Sequence, residues 1–221
     1  MDLLSALRST GAARSFTDER VADDTVRAIL DAARFAPSGG NRQGWRVAVV
    51  KDRAVRHEMG TLMQGVWDEY VAAAAGGRTP FTVVASGPHV EPRAVAGGRP
   101  NPVIADIENH PVVLVIAVDL SLVAMMDQGL SRPPLTGGAS LYPFCWSILL
   151  AARHFGLGGV LTTFLSRKEP DAAGVLGLPD GWAIGAVIVL GHPVHQPTKL
   201  TRRPVEAFAT LDRFDGPAFI G

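Results

Sequence analysis

APSGGNRQGWRVAVV, residues Ala36 to Val50, sets Ser38, Gly39, Gly40, Asn41 and Gln43 in one bend between two regular segments. Upstream, Val26, Ile29, Leu30 and Ala33 recur at i, i+3, i+4 and i+7 after Asp23 and Asp24. This spacing predicts an amphipathic helix ended by Pro37 and the two glycines. Downstream, Trp45 to Val50 reads as a strand. The small residues let a planar, polar ligand come close, and the Asn and Gln amides both donate and accept hydrogen bonds. Taken alone, the same bend also reads as an ordinary helix C-terminus with a solvated turn.

Working outward, a second helix is predicted from Ala54 to Ala75. Residues 76–110 are rich in Gly and Pro and show no sustained period, and a second irregular stretch covers 128–138; both are candidate lids. Between them PVVLVIAVD reads as a strand. An apolar helix is predicted from about Leu141 to Phe155, with Pro143 in its first turn and Gly156 as its stop. GVLTTFL and AIGAVIVLG read as buried strands, with a short helix in KEPDAAGVLGLP, and a last short amphipathic helix is expected from Val205. With no repeat and no linker, residues 1–221 are expected to form a single domain of the α+β class.

Composition narrows the function. Lys plus Arg equals Asp plus Glu at 21 each, so there is no overall basic field to attract nucleic acid or an anionic membrane. Cys145 is the only cysteine, which rules out a disulfide framework and a Cys-rich metal site. The six histidines lack HxxxH spacing, and no metal site is expected. There is no GxSxG elbow, no GxGxxG opening a helix and no GxxxxGK[ST] loop. The opening residues lack the apolar core of a signal peptide and no run approaches the ~20 apolar residues of a membrane span. A cytoplasmic protein is therefore expected.

Two basic groups stand out: Arg8 and Arg14 near the start, and Lys199, Arg202 and Arg203 near the end. Guanidinium groups bind phosphate bidentately, so the two groups brought together would suit a phosphomonoester. A solvated charge run is the plainer reading of the same residues. Gly158 and Gly159 precede Leu161, Thr162 and Thr163, where backbone amides could meet a ligand or simply mark a tight turn.

Together, Arg14-x-Phe16, Val21, Ala36-Pro37-Ser38, Asn41-x-Gln43 and Trp45, with the later GLGGVLTT, LGLPDGWAIGAVIVLGHP and KLTRRPVEAF, resemble the FMN-dependent nitroreductase family. The resemblance implies an α/β/α sandwich with a mostly antiparallel sheet, assembled as an intertwined homodimer with FMN at the interface. It implies hydride transfer from NADH or NADPH through FMN to a small-molecule electron acceptor such as a nitroaromatic or quinone, in ping-pong order. Pro37, Ser38, Gly39, Asn41 and Gln43 would contact the ring and ribityl chain. Arg14 and Arg203 would hold the phosphate, helped by Arg8, Arg202 and Lys199. Leu161, Thr162 and Thr163 would lie beside the ring, with the Thr163 amide near the nitrogen that accepts hydride, and no side chain acting as nucleophile. Gly11 stands where the family commonly has a further arginine, withdrawing one expected phosphate clamp, and Gly44 stands where it usually has proline, loosening the bend. A protein that only sequesters FMN, or an FMN-cleaving or dehalogenating relative, would share these features.

Overall fold

The computed structural model describes residues 2–76, 78–83 and 100–220. Four strands, β1 (Trp45–Val49), β2 (Val112–Asp119), β3 (Gly158–Thr162) and β4 (Trp182–Gly191), form one sheet in the order β1-β2-β4-β3. Every neighbouring pair is antiparallel. The sheet is thus built from β2 and β4 at its centre, and these are the longest and most apolar strands.

β2 reads as an unbroken apolar run because both of its faces are covered. Val112, Leu114, Ile116 and Val118 join Ala186, Ile188 and Leu190 in one core beneath helices α2 (Asp23–Ala33) and α5 (Tyr142–His154). Val113 and Val115 join Val187 and Val189 in a second core. It is closed by Met59 and Met63 of α3 (Arg53–Ala75), Val103 and Ile104 of α4 (Pro102–Ala105) and Ala172 of α6 (Glu169–Leu176). The register shifts between Ile116 and Ala117, leaving Gly185 unpaired and returning Ile184 to the face of Val187. Helix α1 (Leu3–Ser9) stays at the surface.

The helix ends follow local chemistry. Asp52 caps α3 by accepting the amides of Ala54 and Val55, Asn101 caps α4 through Val103, and Pro lies in the first turn of α5. Three sequence expectations are corrected. The strand read into GVLTTFL ends at Thr162, because residues 164–168 turn into a 3-10 segment that leads into α6. The helix expected from Val205 is only the turn Val205–Ala207, since the tail has no core to bury an apolar stripe against: Val205 and Phe208 are exposed. The aperiodic stretch 76–110 contains α4 at its end, while residues 77 and 84–99 of it lie outside the described residues. Among the described residues, no helix is long and apolar enough to cross a membrane.

Candidate functional site

The bend that follows α2 is a built object. Gly39–Asn41 make a 3-10 turn, and Gly40, Asn41 and Gln43 all take positive φ. Two of those three are not glycine, a conformation that Asn tolerates better than most residues. The Ser38 hydroxyl accepts the Gln43 amide at 3.0 Å, and the Gln43 side chain donates to Asn41 Oδ1 at 3.1 Å. Asn41 and Gln43 are exposed, as are Pro37 and Gly39. Gly44, expected to loosen the bend, pins it instead: its carbonyl accepts the Asp119 amide at 2.9 Å, and a Cβ there would sit 3.0 Å from that of Leu122.

Two clefts open beside β3. The smaller, 350 Å³, is lined by Thr10, Gly11, Ala12 and Arg14 together with Tyr142, Trp146 and Leu161. The larger, 780 Å³, is lined by Arg14, Leu161, Thr162, Phe164, Trp67, Tyr70 and residues 100–103. Arg14 and Leu161 belong to both, so the two clefts share a wall. Arg14 is exposed and has no carboxylate partner among the described residues, which leaves its charge available. Thr163 lies just past the strand and is exposed. The outer wall is aromatic: Trp67 and Tyr70 stack at 5.4 Å, and Phe164 lies 6.0 and 6.3 Å from their rings.

The structure thus brings Arg14, Leu161 and Thr162 together and holds Pro37, Ser38, Gly39, Asn41 and Gln43 apart from them. None of residues 37–43 lines either cleft. The bend precedes β1 at one edge of the sheet, and Leu161 lies on β3 at the other, three strand spacings or about 14 Å away. Arg8 sits exposed in α1; Lys199, Arg202 and Arg203 are exposed on the tail, and Arg202 donates to the carbonyl of Thr201.

The tail runs against the start of the chain. Gly11 donates its amide to Pro197 at 3.1 Å, and its carbonyl accepts from the Gln196 side chain at 2.8 Å. A Cβ at Gly11 would lie 2.6 Å from the Pro197 oxygen and 2.9 Å from Leu200. Gly11 is therefore no vacant clamp position. It is the point where the segment leading to Lys199–Arg203 packs onto the segment leading to Arg14.

Sequence reasoning missed Tyr142 and Trp146, which line the smaller cleft from α5. The signal was present: two amphipathic aromatics at i and i+4 on an otherwise core helix, both exposed. Cys145 between them faces the core instead, where burial pushes its thiol up to about 12. Its side chain is part of the core packing.

Comparisons with known proteins bear on the family and the fold. The profile of the nitroreductase family matches residues 7–192. A Thermus thermophilus protein named NADH dehydrogenase is 25% identical, the match covering 93% of this chain and 94% of that one. A nitrobenzene nitroreductase of Ectopseudomonas oleovorans is 29% identical over the same shares. Among solved structures, the Vibrio harveyi NADPH:FMN oxidoreductase complexed with NAD+ superposes with a TM-score of 0.68 at 20% identity. That match covers 96% of this chain and 77% of the other.

Proposed function

Because this chain belongs to the nitroreductase family, we propose that it is an FMN-dependent oxidoreductase taking hydride from NADH or NADPH and reducing a small acceptor such as a nitroaromatic or quinone. The observation that carries this reading is Arg14, a guanidinium with no carboxylate partner among the described residues, on the wall shared by two clefts. The donor set fits the group: Arg14 for a phosphate, hydroxyls at Thr162 and Thr163, and the exposed amides of Asn41 and Gln43 for ring carbonyls and imide nitrogen.

When bound, FMN supplies the hydride chemistry, and the protein supplies position and electrostatics. Arg14, with Arg203 from the tail that packs beside Gly11, would neutralise its phosphate. Leu161 would give an apolar contact to the ring, and the backbone at Thr163 would offer it a donor. Trp67, Tyr70 and residues 100–103 wall the larger cleft, in which donor and acceptor take turns.

The separation of the bend from the clefts calls for a second copy. Tyr142 and Trp146 on α5, and Phe208, Phe214, Phe219 and Ile220 on the tail, are exposed in the single chain. Such exposed apolar surface suits an interface between copies. A homodimer covers it and brings one protomer's residues 37–43 to its partner's Arg14.

The test is an anaerobic absorbance titration of the protein with FMN, followed by NADH and then NADPH. Bleaching, reversed by a nitroaromatic or quinone, is the expected result. A bound flavin that neither nucleotide bleaches would make the protein a flavin binder. Arg14→Ala and Arg203→Ala should each weaken FMN binding by about 10- to 150-fold, the worth of one charge-assisted hydrogen bond. Unchanged affinity in both would overturn the phosphate assignment.

A further inference from the structure

The bend at residues 37–43 carries three positive-φ residues and lies exposed, yet among the described residues only one hydrogen bond ties its residues 38–43 to a distant part of the chain. The Gly39 amide donates to the Ser140 hydroxyl at 3.1 Å, across 101 positions of sequence. Ser140 is buried, 7% exposed, and sits at the end of the 3-10 turn Thr136–Ser140, directly before α5. That turn is itself fixed. The buried Asp127 carboxylate accepts the Leu135 amide at 2.7 Å, the Thr136 amide at 3.2 Å and the Thr136 hydroxyl at 2.7 Å, and it pairs with Arg132. Gly137 packs so closely under Met125 that a Cβ there would meet its sulfur at 2.8 Å.

We propose that Ser140, held in place by the Asp127-pinned turn, is a positioning residue that fixes the bend in the shape in which it receives FMN. This rests on the flavin reading above but concerns this chain's own residues. Gly44 anchors the β1 end of the bend to Asp119, while Ser38, Asn41 and Gln43 bond only to one another, so the part ahead of Gly44 keeps its local shape and still moves about that anchor. A second tether at Gly39 from a rigid turn restricts that motion, and part of the ordering cost of binding is met before the ligand arrives. The same turn leads into α5, whose Tyr142 lines the smaller cleft.

The experiment has one arm that needs no flavin. Amide hydrogen exchange of the flavin-free protein should rise about three- to tenfold at residues 38–43 in Ser140→Ala, the loss of one hydrogen bond, and return to wild type in Ser140→Thr. The second arm titrates FMN by fluorescence quenching and records the visible band of the bound flavin. Ser140→Ala should weaken binding about three- to tenfold and alter the band shape, with Ser140→Thr restoring both. Thr136→Val should act in the same direction, and its combination with Ser140→Ala should fall short of the product of the two.

Unchanged exchange at 38–43 in Ser140→Ala overturns the tether. Raised exchange with unaltered affinity and spectrum overturns its role in flavin positioning, and a fully multiplicative double variant overturns the link to the Asp127 turn. If the wild-type protein binds no FMN, the flavin reading fails and the positioning claim with it, while the exchange arm still decides the tether itself.

Discussion

At the scale of single residues, small side chains hold this molecule's shape where sequence patterns read them as losses. Gly11 stands in the way of an arginine: introducing one would drive a Cβ against the Pro197 backbone oxygen. Gly11→Arg should therefore lower stability by about 1–3 kcal/mol, the usual penalty of overpacking, with no gain in FMN affinity. Thermal unfolding alongside FMN titration checks it, and tighter FMN binding at unchanged stability would refute it. Arg56 is the converse case, a charge placed inside. Its guanidinium donates to the carbonyls of Val50, Glu108 and His110 at 2.7 to 3.0 Å, and burial lowers its pKa. Arg56→Met would leave those carbonyls without their donor, and a loss of at least about 3 kcal/mol in denaturant unfolding is expected. Neither role was legible in the sequence, because both depend on partners that are distant along the chain and adjacent only in the fold.

At the scale of elements, legibility followed the range of the forces involved. The helix around Ile29, the strand at β2 and the stop at Gly156 were readable because periodicity and capping act within a turn or two. The false strand at Phe164 and the false helix at Val205 are places where tertiary packing decides and local propensity does not. The segment around Asp127 was legible only as irregular, since Gly, Pro and Ser reveal nothing of a carboxylate that gathers four donors. Those donors, the Thr136 hydroxyl foremost and Arg132 next, hold Asp127 well below the usual carboxylate range. A carboxylate with a depressed pKa in the fold contributes its stability above its unfolded value, about 3.9, and loses it as pH falls toward the folded value. Thermal midpoints of wild type should accordingly drop below about pH 4 more steeply than those of Asp127→Asn, whose midpoint is lower at pH 7. Parallel curves would show that Asp127 contributes nothing to acid sensitivity.

At the scale of the whole molecule, the candidate site is split between two edges of one sheet, and the proposed homodimer would unite it. Trp146→Glu, on the exposed face of α5, should convert a dimer to monomers in sedimentation and lower FMN affinity in step. Monomers that keep full affinity would mean that one chain suffices. The strand order has a further consequence, for synthesis. β2 pairs with β1, but its other edge waits for β4, and Gly191 lies 72 positions after Asp119. At translation rates of ~5–20 residues per second, the run VVLVIAV emerges roughly 4 to 14 seconds before its central partner. During that interval the nascent chain carries an unpaired apolar strand, the kind of segment that associates with its copies. Ribosome-arrested chains ending between β2 and β4 should be protease-sensitive and retained by chaperones, and those extended well past Gly191 should resist both. The centre of the sheet, its most stable part once complete, is thus its most vulnerable part while it is being made.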